Sequence, residues 1–522
     1  MSFADLGYAV LALVLYRGVL SPYVTTAARR LGARRFPGPG INGPYAGGPV
    51  ERGVVLPLAA VATLLTVAAA TGTAALTAAG HEVLACAAVI LLWRYGAADY
   101  DIVQDLGWQR RDRLVLLATG LATVAFPPVA AFFLPWLGGR VGGWTHHGMA
   151  CARVLKMGLA CLLAAPAAAL LGVHPDASRL SFVLLGSAFL SHYFAALVAK
   201  LKLGPRPWSW ALHNRTELLV ASSWSWGWLR SVGPASMARV IAALSRTRLL
   251  LNTGTCLIEA LGLVAWFDRG LLVAAFAGCV LFNLTVAAGS GLVFAENVLL
   301  ALAFVGAAFL RHGGVALGLA PGLTGLAVLL LVATGLLWRP AELGWWDSAL
   351  TTRVWWAVRT ATAGPFTLAT RLMSPYDREF GRMLGNYLTG EVFLTYSLGP
   401  VIDPGTRTAL TRPEPDAAEI AALKLSHGQT FERPGYRAAN AAYLRRFFTA
   451  LNEGRRKSPV PRWLRPPASH SYGGGLPSYA PAEHGPVISV DLVVTEICFH
   501  SRCRRWDVVY ERTLDRIDIP GR

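Results

Sequence analysis

Two ionisable residues sit where the sequence otherwise suits a lipid bilayer. Lys200 closes Ser191-His192-Tyr193-Phe194-Ala195-Ala196-Leu197-Val198-Ala199-Lys200-Leu201, and Glu259 lies inside Thr255-Cys256-Leu257-Ile258-Glu259-Ala260-Leu261-Gly262. An ionisable side chain at membrane depth is costly and by default faces a protein interior or a wet cavity. A buried lysine can act as a general base. A buried carboxylate either donates a proton or pairs with a cation, here Lys200 or Arg215. Plainer readings stand beside these. Lys200 can snorkel from a helix end, since Lys202 and Gly204-Pro205 follow it, and Glu259 can belong to a purely structural ion pair.

Other polar groups share the apolar surroundings. His192, His213, Arg215, Glu217, Asn283 and Glu296 are candidates to hold the polar end of a lipid-soluble substrate, with His192 also a candidate catalytic group. Asp99, Asp101 and Asp105 form D-x-D-x-x-x-D, which is either a metal or diphosphate site or the solvated start of a helix; the spacing is not specific. Cys498 and Cys503 have no second pair or histidine cluster to make a zinc site, so no metal is assigned. There is no P-loop, no Gly-x-Ser-x-Gly elbow and no His-Glu-x-x-His.

The elements that must position these residues are membrane helices. Of 522 residues, 54% are hydrophobic and 15% charged, against roughly 25% charged in soluble domains. Several apolar runs approach the ~20 residues that cross hydrocarbon. The net charge of +18 is dispersed among loops, which favours topology-setting basic loops over nucleic-acid binding. The expected fold is all-α and polytopic, with about nine or ten membrane-embedded helices and a small mixed C-terminal extramembrane region. Residues 1–53 read as an N-terminal helix and basic loop, and residues 54–338 as the transmembrane bundle. Residues 339–402, with Trp345-Trp346 and Trp355-Trp356 among arginines, read as interfacial amphipathic helices. Residues 403–522 read as extramembrane, with a strand at Val487–Val494 that Trp506–Tyr510 pairs.

The positive-inside rule exposes an inconsistency. Counting Leu114–Leu137, Met149–Val173 and Ser181–Leu201 as three crossings puts Arg110–Arg113 and the arginine-rich stretch Arg206–Arg248 on opposite sides. The simplest repair lets the tryptophan-rich segment Trp208–Leu229 cross as a partly polar helix.

His192 to Leu201, followed by that tryptophan-rich segment, resembles the Y-F-x-A-G-x-x-K-L … W stretch of the HTTM superfamily. That superfamily includes the vitamin K-dependent gamma-glutamyl carboxylases. Leu250–Leu263, with Ile258-Glu259 and Gly262, is similar to a later helix of the family. The likeness runs over roughly residues 50 to 310. It implies that Lys200 stands where the carboxylases carry their catalytic lysine, the base that starts hydroquinone oxygenation, so hydroquinone and O2 are the cofactors the resemblance suggests. Departures are Leu197 at the family's glycine and Asn283 near the place of a family histidine. This tail also has no evident counterpart of the large lumenal domain that binds the carboxylase's protein substrate. Gamma-carboxylation is therefore not expected.

Two functions follow as expectations. One is an integral enzyme of the bacterial plasma membrane acting on a quinone or isoprenoid lipid, by oxygenation or by proton-initiated cyclisation. In the second case Glu259 or one of Asp99, Asp101 and Asp105 is the acid. The other is a non-catalytic lipid-binding scaffold or transporter.

Overall fold

The computed structural model describes residues 2–32, 50–141, 149–173, 175–310, 330, 343–377, 379–395, 398–410, 417–457, 460–468 and 476–520. It is mostly helical. The bundle comprises α1 (Phe3–Leu31), α2 (Arg52–Ala70), α3 (Ala78–Gly96), α4 (Leu106–Ala125), α5 (Ala130–Trp136), α6 (Met149–Leu170), α7 (Ala177–Leu201), α8 (Ser209–His213), α9 (Glu217–Ser225), α10 (Pro234–Arg246), α11 (Arg248–Val264), α12 (Arg269–Ser290) and α13 (Ala295–Leu310).

Among the described residues six of these helices, α1, α2, α3, α6, α7 and α12, are long and apolar enough to cross a membrane, compatible with a multi-pass membrane protein. Of the other expected spans, α4 opens on Arg110, Arg111, Asp112 and Arg113, and α11 and α13 are shorter, at 17 and 16 residues. The span expected over Val315–Trp338 lies outside the described residues except for Leu330.

The topology problem is solved at Pro127-Pro128. Proline has no N–H to continue a helix, so α4 stops at Ala125, Phe126 is extended, and Pro127–Val129 forms a 3-10 turn. The chain then doubles back through α5 and a π-turn to Val141. The Trp136 indole donates to the Asp112 carbonyl at 3.0 Å, and Arg140 reaches the Leu31 carbonyl at 3.2 Å. Leu114–Leu137 is therefore a hairpin rather than one crossing. Arg110–Arg113 and Arg206–Arg248 lie at the same end of the bundle. Trp208–Leu229 does not cross: α9 has nine residues, about 13 Å of rise against ~30 Å of hydrocarbon.

The α6–α7 hairpin fixes the far end. Asp5 at the start of α1 accepts from the Asp176 backbone N–H at 2.9 Å, and the Tyr8 hydroxyl meets Ser181 Oγ at 2.8 Å. Two arginines, Arg179 and Arg269, begin helices at the far end, whereas Arg29, Arg30, Arg52, Arg94, Arg110, Arg111, Lys202, Arg206, Arg246 and Arg248 gather at the near end.

A C-terminal domain seals the near end. It contains strands β1 (Trp346–Asp347), β2 (Leu350–Thr360), β3 (Phe366–Thr367), β4 (Pro400–Val401), β5 (Val487–His500) and β6 (Arg505–Asp518), with helices α14 (Ala417–His427) and α15 (Tyr436–Asn452). An antiparallel sheet runs β3-β2-β5-β6, and β1 pairs β4. In the central register Trp355 faces Val493 and Trp356 faces Leu492. The expected amphipathic helix around Trp355-Trp356 is thus a central strand. Leu-Thr-Thr-Arg-Val-Trp-Trp-Ala-Val-Arg-Thr is rich in β-branched and aromatic residues that fit a pleated surface. The strand holding Val487–Val494 does pair with the strand holding Trp506–Tyr510, but in a different register: Ser489–Val494 lie opposite Arg512–Asp518, and Trp506–Tyr510 lie opposite Glu496–Phe499.

Trp356, Val358, Val490, Leu492 and Val494 pack against Tyr443, Leu444, Phe447 and Phe448 of α15. Ile102, from the α3–α4 loop, is fully buried in this same core. On the other side, Trp506 packs against Trp224 with ring centres 4.2 Å apart and donates to the Ala221 carbonyl at 3.1 Å. The domain grips the bundle through both contacts.

Candidate functional site

Helix α11 is an edge helix. Leu249, Leu250 and Leu257 are exposed, and the only buried residues along it are Asn252 and Glu259. They stand seven positions apart, two turns on one face. Both are spent on the bundle. Asn252 Nδ2 donates to the carbonyls of Ala211 (3.0 Å) and Asn214 (2.9 Å), and its Oδ1 accepts from Thr216 at 2.5 Å. Glu259 Oε1 pairs with Lys200 Nζ. The other carboxylate oxygen, Oε2, is buried and has no hydrogen-bond partner among the described residues.

Lys200, in the last turn of α7, also lies 4.9 Å from the centre of the Trp210 ring. The Trp210 indole donates to the Trp345 carbonyl at 2.8 Å. One step further, Asn214 and Asp347 exchange two bonds: Asn214 Nδ2 to Asp347 Oδ2 at 2.8 Å and the Asp347 N–H to Asn214 Oδ1 at 2.9 Å. Burial pushes the Asp347 carboxyl up to about 6, against the lowering influence of Asn214 and the Lys200 charge. The result is a polar layer at the near end, Lys200-Glu259-Asn252-Asn214-Asp347, lidded by Trp210.

The structure joins some of the other candidates and separates the rest. Arg215 pairs with buried Glu217 at 3.1 Å and reaches Ser501 Oγ at 2.8 Å, which ties the layer to the β5–β6 turn. His213 is exposed at the end of α8. His192 bonds to Arg153 rather than to Lys200. Asn283 donates to Tyr193 Oη at 2.6 Å and to the Cys279 carbonyl at 2.7 Å. Glu296 pairs with Arg94 at 3.0 Å.

The three aspartates do not converge. Asp99 pairs with Arg465 at 2.6 Å, Asp101 is buried against the Tyr376 hydroxyl at 3.1 Å, and Asp105 caps α4 by accepting from the Trp108 N–H at 2.9 Å. Burial raises the Asp101 carboxyl. Among the described residues no three His, Cys, Asp or Glu side chains come together as a metal site. The D-x-D-x-x-x-D stretch is a loop with three separate structural duties.

Sequence reasoning missed Asn252, Asn214, Trp210 and Asp347. Asn252 carried a usable signal, a lone amide two turns before Glu259 in an apolar helix. Asn214 and Asp347 are far apart in the chain and carried none.

A cavity of about 660 Å³ opens elsewhere at the near end, between α3, α4 and the C-terminal domain. It is lined by Arg94 and Arg113 from the bundle and by Arg371, Lys457, Arg462 and Arg465 from the domain. Arg113 satisfies the end of α3: its Nη1 donates to the carbonyls of Tyr95 (2.8 Å), Gly96 (3.0 Å) and Ala98 (2.9 Å), and its Nη2 to that of Asp99 (2.9 Å). Its Nε is buried with no partner among the described residues. Lys457 donates to the carbonyls of Leu372 and Ser374, and burial brings its ammonium down to about 8. Lys200 and Glu259 do not line this cavity.

Comparison with known proteins gave no matching family model, no matching curated protein and no matching solved structure.

Proposed function

We propose that the chain is an integral membrane enzyme that acts on a lipophilic quinone or isoprenoid-type substrate by proton transfer at Lys200 and Glu259. The observation that carries this reading is the partnerless, buried Oε2 of Glu259 beside the Lys200 ammonium. A buried polar atom without a partner costs about 1–3 kcal/mol, and a site keeps such an atom when a substrate group is to meet it. A proton shared within the pair leaves a neutral amine and a neutral acid. The amine then takes a proton from a substrate hydroxyl, or the acid gives one to an alkene or oxygen. Asn214 and Asn252 hold the surrounding layer in place. The resemblance of His192–Leu201 to the HTTM stretch supports the same assignment. The near end, rich in lysine and arginine, is the cytoplasmic face of a bacterial plasma membrane in this reading.

A second reading, a lipid-binding scaffold or transporter, is favoured by one observation. Asn252 and Glu259 are the two buried residues by which α11 is held to its neighbours, so the pair serves equally well as a latch. Lipid extracts separate the two. Cells that supply quinones and isoprenoids express the wild type, Lys200→Met and Glu259→Gln at matched levels, and the extracts are compared by mass spectrometry. A species made only by the wild type is expected, and a mass gain of oxygen or an unchanged mass chooses between oxygenation and cyclisation. Identical profiles from all three and from the empty host overturn the enzyme reading.

A further inference from the structure

The cavity under α3 and α4 has an excess of cations that the fold does not use up. Six basic side chains line it against three acids, Asp99, Asp377 and Glu379. Two of the six are neutralised on the spot: Arg94 by Glu296 at 3.0 Å and Arg465 by Asp99 at 2.6 Å. The side chains of Arg371 and Arg462 are exposed and have no partner among the described residues. Arg113, 5% exposed, is committed to the end of α3 through four backbone carbonyls, and its Nε is buried. Guanidinium groups fork onto phosphate oxygens through charge-assisted bonds roughly twice as strong as neutral ones, and two of them, Arg371 and Arg462, are available here. The volume of about 660 Å³ lies in the ordinary range for small-molecule sites, about 300–1,000 Å³.

The loop that brings Arg462 and Arg465 to the cavity wall is built like a membrane contact. Trp463 is 82% exposed between Arg462 and Arg465. Its loop is fastened to the last turn of a membrane-crossing helix: the Trp93 indole donates to the Leu464 carbonyl at 2.9 Å, and Arg94 Nη1 to the Pro467 carbonyl at 2.6 Å. Tryptophan between arginines at the end of a spanning helix is the composition of the headgroup layer. An exposed indole of this size has little reason to face water.

We propose that this cavity binds the phosphate group of an anionic membrane amphiphile, which enters from the bilayer beside Trp463 and is held by Arg371 and Arg462. The site is separate from Lys200 and Glu259 and stands whether or not that pair is catalytic. Prolines 375, 466, 467 and 481 along its wall give it a stiff, largely apolar rim suited to glycerol or the first carbons of a chain.

The test uses the purified full chain in detergent, titrated with dioleoyl phosphatidic acid and read by native mass spectrometry. One adduct is expected to saturate, with dioleoyl phosphatidylcholine binding at least tenfold more weakly. Arg371→Ala with Arg462→Ala removes two exposed side chains that no contact needs, so the fold should survive, as a melting curve checks. Binding should weaken at least tenfold. The charge-matched pair Arg246→Ala with Arg502→Ala should leave it unchanged. Trp463→Ala should weaken phosphatidic acid and leave the feeble competition by inorganic phosphate as it was. Equal binding of the two lipids, equal losses in the two double variants, or inorganic phosphate competing as strongly as the lipid would overturn the proposal.

Discussion

Arg140 forks onto Asp112 with Nε to Oδ1 and Nη2 to Oδ2, each at 2.9 Å. Both side chains are almost completely buried, and the contact closes the hairpin that Pro127-Pro128 begins. It is the reason the two arginine-rich loops share a face. Labelling should show this directly. In a background with every cysteine replaced, Arg110→Cys and Lys202→Cys should react with an impermeant maleimide from the same side of the membrane. Leu171→Cys, exposed in the α6–α7 turn, should react from the other. Opposite labelling of Arg110→Cys and Lys202→Cys would refute the hairpin.

The same contact predicts a stability effect. Arg140→Leu leaves the Asp112 carboxylate buried and uncompensated, which costs about 3–5 kcal/mol, whereas replacing both partners with apolar residues is nearly neutral in many proteins. Arg140→Leu with Asp112→Leu should therefore melt well above Arg140→Leu alone. A double variant no better than the single one would mean that the pair is not the closure of the hairpin.

The sequence made some of this legible and hid the rest for identifiable reasons. The apolar runs of α3, α6, α7 and α12 are read directly because a bilayer demands them. β5 is legible at Val487–Val494, where side chains alternate. β2 is just as central and buried but is not legible, because Trp355-Trp356 set between Arg353 and Arg359 imitate an interfacial helix. The Pro127-Pro128 break is visible in sequence, but whether the chain then continues or returns is decided by Arg140 finding Asp112, a contact between distant residues. At the candidate site, Lys200 and Glu259 announce themselves by their cost in apolar sequence. Their polar neighbours Asn214 and Asp347 sit in ordinary polar segments, and their contact arises only when the domain docks.

Whether Lys200 and Glu259 form a catalytic pair or only a latch also has a thermodynamic reading. Lys200→Met and Glu259→Gln each strand the other partner, with an expected loss of about 3–5 kcal/mol if both were charged and needed. Lys200→Met with Glu259→Leu should recover most of that loss, with a coupling energy of about 0.5–3 kcal/mol or more between the two sites. The enzyme reading adds that this stable double variant makes no lipid product. A fully active double variant would leave the pair a structural latch.

Asp347 gives a pH signature whose sign is fixed by its burial. Its carboxyl is pushed up to about 6 in the folded chain from an ordinary 3.8. Between those values the folded protein binds more protons than the unfolded one. Its contribution to stability is then full below about pH 4 and is lost as the pH rises through about 6. The loss is at most about 3 kcal/mol, since a tenfold change in proton affinity corresponds to about 1.4 kcal/mol. Asp347→Asn keeps an oxygen to accept from Asn214 and removes the charge. It should match the wild type near pH 4, exceed it at pH 7, and flatten the melting temperature between about pH 4 and 6. A wild type that is flat from pH 5 to 7 and loses stability only below about pH 4, with that loss abolished by Asp347→Asn, would show that the carboxylate is held charged by Lys200 and that the polar layer is an ion-pair network rather than a neutral hydrogen-bonded one.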